Sequence, residues 1–121
     1  MSTTANKTPR ALQAGANNAA GATTTGTAID LTAALGLAIT AKITNGATGP
    51  TTGCAFRLEV SNDNINWKTF SEQTAGIDNN SVYEFIVELG PAWMYARSVF
   101  TGNTDQDVTI EAFGHELTSL G

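Results

Sequence analysis

The chain has 121 residues, 41% of them hydrophobic, which suits one domain with an ordinary core and leaves little room for a second. Only 14% are charged, against about 25% in typical soluble domains, and the net charge is −5. Six Lys and Arg scattered along the chain do not make the basic patch that neutralises phosphates, which excludes nucleic acid and an anionic membrane surface as partners. A single Cys excludes an internal disulfide and a cysteine-rich metal site, and it fits folding in a reducing cytoplasm. No apolar run approaches the length of a membrane-spanning helix. No apolar h-region follows residues 1–7 (MSTTANK), so no secretory leader is expected.

Residues 1–26 are dominated by Ala, Thr, Gly and Asn, with Leu12 the only large aliphatic after Met1. So little apolar area cannot offset the entropy of ordering the segment by itself. The expectation is an N-terminal arm that is flexible or ordered by a partner, followed by a folded domain over 27–121. In the partner-ordered form the candidate contacts are Ala11, Leu12, Gln13 and Ala14, with Thr23, Thr24 and Thr25.

Residues 27–31 (TAIDL) form a short strand, and 32–36 form one helical turn or a loop closed by Gly36. Leu37, Ile39, Ala41 and Ile43 then alternate with Ala38, Thr40, Lys42 and Thr44, a half-buried strand. Asn45-Gly46 and Gly49-Pro50 mark a loop. In the following stretch, CAFRLEVSNDNINW at 54–67, Phe56, Leu58 and Val60 point to a core while Arg57, Glu59 and Ser61 face water. Ser61-Asn62-Asp63-Asn64 is a run of turn formers, and a second hairpin strand covers 66–71.

A loop over 72–80 leads to a strand over 82–89, with Tyr83, Phe85, Val87 and Leu89 on one face and Glu84, Ile86 and Glu88 on the other. Gly90-Pro91 turns the chain into a strand over 93–101 that carries aromatics on both faces, so its inward face stays open. After a turn at 102–105, Val108, Ile110 and Ala112 alternate with Thr109, Glu111 and Phe113 in the last strand. Roughly seven to eight short strands, with turn signals about every ten residues, predict an all-β, antiparallel, jelly-roll-like sandwich or small barrel.

No catalytic constellation stands out. His115 beside Glu116 offers a base and its orienter without a positioned nucleophile, and a solvated terminal histidine is the preferred reading. One His and one Cys fall short of a zinc site. Asn62-Asp63-Asn64 resembles a calcium loop only loosely, and turn formation accounts for it without an ion. Glu84 and Glu88 sit four residues apart on one strand face, roughly 13 Å, too far for a retaining glycosidase pair. No enzyme activity, cofactor or metal is expected. Trp67, Trp93 and Tyr95, with Asn62 and Asp63 alongside, offer a sugar-stacking platform; the simpler alternative is that both Trp cap the core.

These segments together resemble the small β-sandwich head decoration, or cement, proteins of tailed bacteriophages. The resemblance covers about 27–113 and is carried by Ile-Thr-Asn-Gly at 43–46, Val-Ser-Asn-Asp at 60–63 with Trp67, Tyr95 and Arg97 on one strand, and Thr-Gly-Asn at 101–103. Asn64 departs from the Gly of many such turns, and the Ser-Asn-Asp…Trp hairpin recurs in carbohydrate-binding sandwiches. The resemblance implies a structural virion protein, made in the host cytoplasm and placed on the capsid surface. Its implied partner is the major capsid protein, which it would clamp as a dimer or trimer. The alternative is a carbohydrate-binding module of a phage surface, a tail or a secreted protein. If the arm is the attachment device, deleting residues 1–26 leaves a folded domain that no longer attaches.

Overall fold

The computed structural model describes residues 5–120; the first four residues of the expected arm, and Gly121, lie outside them. Nine strands follow in order: β1 (Ala5–Asn18), β2 (Thr23–Thr25), β3 (Ile29–Asp30), β4 (Gly36–Asn45), β5 (Ala55–Ser61), β6 (Lys68–Thr74), β7 (Val82–Leu89), β8 (Tyr95–Thr101) and β9 (Val108–Leu120). They make two sheets, a long one ordered β1-β9-β4-β7 and a short one ordered β2-β8-β5-β6, with β3 pairing on β8. Every pairing is antiparallel. Setting β3 aside, eight strands in this order form a jelly roll, two Greek keys closed into a sandwich.

The period-two patterns build the core as expected. Leu37, Ile39, Ala41 and Ile43 of β4 face Phe56, Leu58 and Val60 of β5, and all seven are at most 3% exposed. The open question about β8 resolves with Ala96, Ser98 and Phe100 inward, and Phe100 meets Phe56 at 5.3 Å between ring centroids. Gly114 lets β9 approach β4: a Cβ built there would lie 1.8 Å from the Ala38 carbonyl oxygen. Thr32 and Ala33 form a turn, and β4 already begins at Gly36. Strand β6 runs later than expected, over Lys68–Thr74, and β9 runs on well past Ala112.

The N-terminal segment differs from the expected arm. Strand β1 lies along β9 as the edge of the long sheet, in register from Ala5↔Leu120 to Asn18↔Val108. Leu12 is 2% exposed within the core cluster, and Ala16 packs against it. Asn18, fully buried, donates to Asn103 Oδ1 at 2.6 Å and to the Ala22 carbonyl at 3.1 Å, and accepts the Thr24 hydroxyl. Asn103 Nδ2 donates back to the carbonyls of Asn18 and Gln106. Backbone pairing with a thirteen-residue strand and this buried amide network supply what apolar area does not. The folded unit therefore begins in β1, not at residue 27.

Candidate functional site

The groups with possible chemistry do not converge on one place among the described residues. His115 and Glu116 are adjacent in β9, so they lie on opposite faces: His115 is on the outer face of the long sheet, in register with Pro9 and Ala38. Glu116 lies against Leu37 on the inner side, 3.6 Å from Arg10. The strand itself thus separates the base from its orienter. Cys54 is buried, and desolvation pushes its thiol up to about 11, far from thiolate chemistry at neutral pH. Among the described residues no three His, Cys, Asp or Glu converge on a metal-sized space.

The turn after β5 is closed by Asp63. Its Oδ1 accepts the backbone N–H groups of Asn66 (2.7 Å) and Ile65 (2.9 Å), and Oδ2 accepts the Asn66 amide at 2.6 Å. Those bonds, with one from the Ser61 hydroxyl, hold the carboxyl well below the usual carboxylate range. Ser61 Oγ accepts in turn from the Asp63 and Asn64 amides, and Asn64 takes the left-handed conformation at φ 60°, which Asn tolerates better than most residues. The Asp63 oxygens thus serve the loop's own backbone. Asn62 stays exposed.

The outer face of β5 is not the solvated face its alternation suggests. Glu59 is only 9% exposed, accepting from Arg97 Nε at 2.8 Å and Arg57 Nε at 3.0 Å. Arg57 reaches Glu72 at 3.6 Å, and the Arg97 guanidinium carbon stands 4.2 Å from the centroid of the Trp67 ring. Glu72, Arg57, Glu59, Arg97 and Trp67 thus form one ladder across the short sheet, its charges mutually paired. Tyr95 lies on the same face, in register with Ser61. Trp93 instead packs against the core at the sandwich end, edge-on to Phe70 at 6.3 Å. The two indoles share no platform. Trp93 does wall a shallow groove with Asn62, Asp63, Asn66 and Lys68.

The expected partner contacts scatter as well. Leu12 is inside the core, a correction to its place among contact residues, because its side chain points between the sheets. Ala11 and Ala14 are exposed on β1 and Gln13 is half-buried; Thr23 and Thr25 are exposed on β2, while Thr24 turns inward to Asn18.

A different surface comes together on the outer face of the long sheet. Ala11, Phe113, Thr40 and Ile86 are in register across all four strands. Phe113 is 47% exposed and Ile86 72%. Charged rows flank this band: Glu111, Lys42 and Glu84 on one side, His115 and Glu88 on the other. None of Lys42, Glu84, Glu88 and Glu111 makes an ion pair within 4 Å among the described residues. A sequence signal for it exists, in that Phe113 and Ile86 are large apolar residues in the polar phase of their strands. Their alignment needed the register.

No known protein family matches the sequence, and no curated protein does either. Among solved structures, the chain is similar to one in the structure of infectious bursal disease virus Gx strain, with TM-score 0.61 and 6% identity over 93% of this chain and 32% of that one. It thus spans about a third of that protein's length, and the likeness is one of fold. It also aligns with the crystal structure of SPBc2 prophage-derived protein YomS, at TM-score 0.47 and 14% identity over 95% of this chain and 96% of that one.

Proposed function

We propose that this chain is a structural virion protein, a capsid decoration (cement) protein that binds the outside of a tailed-phage head and stabilises contacts between major capsid proteins. The observation that carries the reading is the outer face of the long sheet. It holds two large exposed apolar side chains, Phe113 on β9 and Ile86 on the edge strand β7, in one row with Ala11 and Thr40, and flanking charged side chains that make no ion pair within 4 Å among the described residues. An apolar patch with a polar rim is what a protein-binding face needs, and low overall charge places little repulsion in the way of close packing. The resemblance of the 43–46, 60–67 and 95–103 segments to phage head decoration proteins supports the same reading. Many copies on a lattice convert modest single contacts into firm attachment, and dimers or trimers at symmetry axes multiply the effect.

The test is co-sedimentation of the purified protein with expanded phage capsids that lack it, with capsid melting followed in parallel. Saturable binding at a fixed copy number and a raised capsid melting temperature are expected, and Phe113→Asp should weaken binding at least tenfold. Absence of binding would end the reading. A carbohydrate-binding role is favoured by one observation, the groove in which Trp93 lies beside Asn62, Asp63, Asn66 and Lys68. A glycan panel read by tryptophan fluorescence tests it, with Asn62→Ala expected to abolish any response.

A further inference from the structure

Among the described residues the sandwich has free strand edges, and they are not alike. Strand β1 carries Pro9, which has no N–H to offer, and three register shifts. Strand β6 has a register shift and places Lys68 at its start. Strands β2 and β3 are three and two residues long. Irregularity, Pro, Lys and shortness are the devices that blunt an edge against strand addition. Strand β7 has no shift, Pro, Lys or shortness, and its one guard is the negative charge of Glu84 and Glu88, which a cationic strand would neutralise. Its eight residues pair with β4 in unbroken register, from Thr44↔Val82 to Leu37↔Leu89.

The hydrogen-bond phase shows what that edge presents. The Asn45 N–H donates to the Ser81 carbonyl at 2.9 Å, one step beyond the Thr44↔Val82 pair. Antiparallel ladders alternate bonded and non-bonded pairs. The backbones of Tyr83, Phe85, Val87 and Leu89 therefore turn toward β4. The N–H and C=O groups of Val82, Glu84, Ile86 and Glu88 point off the sheet. The side chains of these same four residues lie on the outer face, where Val82 is 50% and Ile86 72% exposed, and both Glu are exposed.

We infer that β7 is a docking edge for an extended segment of another protein, one that adds a strand and carries Lys or Arg at positions i and i+4 on its outward face with an apolar residue midway. The charge pattern selects this occupant. Glu84 and Glu88 flank Ile86, so cations opposite both carboxylates and an apolar side chain opposite Ile86 complete the cross-strand pairs. A second copy of β7 centred on Ile86 would set Glu84 against Glu88, which disfavours self-pairing. This names the attachment chemistry of the capsid reading and rests on that reading only for the partner's identity.

The probe is the labelled peptide Thr-Lys-Val-Ile-Val-Lys-Thr, with a second peptide carrying Glu in place of both Lys, titrated onto the full chain at low salt by fluorescence polarisation. Saturable binding of the Lys peptide is expected, at least tenfold tighter than the Glu peptide. Ile86→Pro removes an outward N–H without touching the β4 ladder and should weaken binding tenfold or more at an unchanged melting transition. The Glu84→Lys/Glu88→Lys double variant should fold and reverse the preference. Binding indifferent to Ile86→Pro or to charge, or no binding of either peptide, would overturn the assignment. So would a wild-type dimer that Ile86→Pro dissolves, since it would give the edge to a second copy. Capsids that bind wild type and both variants equally would remove β7 from attachment while leaving the capsid reading intact; peptide binding without capsid binding would do the reverse.

Discussion

Leu12→Ala tests the placement of the N-terminal segment directly. Leu12 is 2% exposed in the core cluster, and the substitution deletes three carbons. Transfer alone, at about 0.8 kcal/mol per carbon, gives about 2.4 kcal/mol. A cavity between β1 and the core adds to this, within the span of about 2–5 kcal/mol seen for buried Leu→Ala changes. A loss of about 3 kcal/mol is expected, a large share of the roughly 5–15 kcal/mol that stabilises a domain. At this chain length it lowers the melting temperature by roughly 10 °C. Urea unfolding followed by the fluorescence of Trp67 and Trp93 measures it. Ala11→Ser and Ala14→Ser, at exposed positions of the same strand, should stay within about 0.5 kcal/mol of wild type. If Leu12→Ala also stays within that margin, β1 contributes nothing to the fold and the arm description returns. By the same reasoning, deletion of residues 1–26 should unfold the protein, since it removes β1 and β2 and leaves β9 without its edge partner.

Glu59→Gln should cost about 1–3 kcal/mol in urea unfolding, because it leaves Arg57 and Arg97 without their shared carboxylate; both guanidinium groups are partly solvated, which keeps the loss below that of a fully buried pair. The same variant should change Trp67 emission, since Arg97 is held over the indole through Glu59. Backbone hydrogen bonds depress the Asp63 carboxyl below its unfolded value, so its contribution is present above about pH 4 and is lost as pH falls toward the folded value. Asp63→Asn should therefore show a smaller drop in melting temperature between pH 6 and pH 3 than wild type shows. The Cys54 thiol, raised to about 11, should resist iodoacetamide at pH 7.5 until denaturant opens the core; prompt labelling of the native protein would contradict its placement.

Strands with one buried face and one wet face were legible, because that division forces alternation. Strand β4 and the inward residues of β5 and β7 follow the alternation read from the sequence, whereas β8 carries aromatics on both faces and its inward face needed the structure. Strand β1 was not legible. It is an edge whose inward side is made of one Leu, one Ala and buried Asn18, so apolar periodicity carries almost no signal there. Its stability comes from pairing with β9, about ninety residues or more away in sequence. The same holds for Glu59: its alternation phase says water, and only the meeting of Arg57 on its own strand with Arg97 on β8 makes burial tolerable. Asn62, Asp63 and Trp67 were visible as a turn with a following aromatic. That Asp63 serves its own loop and Trp67 its own arginine depends on local geometry that residue types do not specify.

The two outer faces differ in how much bonding capacity is left over, and that difference is what favours the long sheet in the proposed attachment. On the short sheet, Glu59 takes up both Arg57 and Arg97, Trp67 covers Arg97, and Glu72 meets Arg57. A partner arriving there would have to break paired charges and leave some of them desolvated, which costs more than rim contacts return. On the long sheet, Phe113 and Ile86 are already exposed, Glu84 and Glu88 make no ion pair within 4 Å among the described residues, and the backbone groups of every second β7 residue point off the sheet along an unbroken register. Association there adds apolar burial, new hydrogen bonds and new ion pairs together while breaking none. The face with the more conspicuous side chains, Trp67 and Tyr95 included, thus has the less bonding capacity to spare, and the proposed attachment uses the plainer face beside β7.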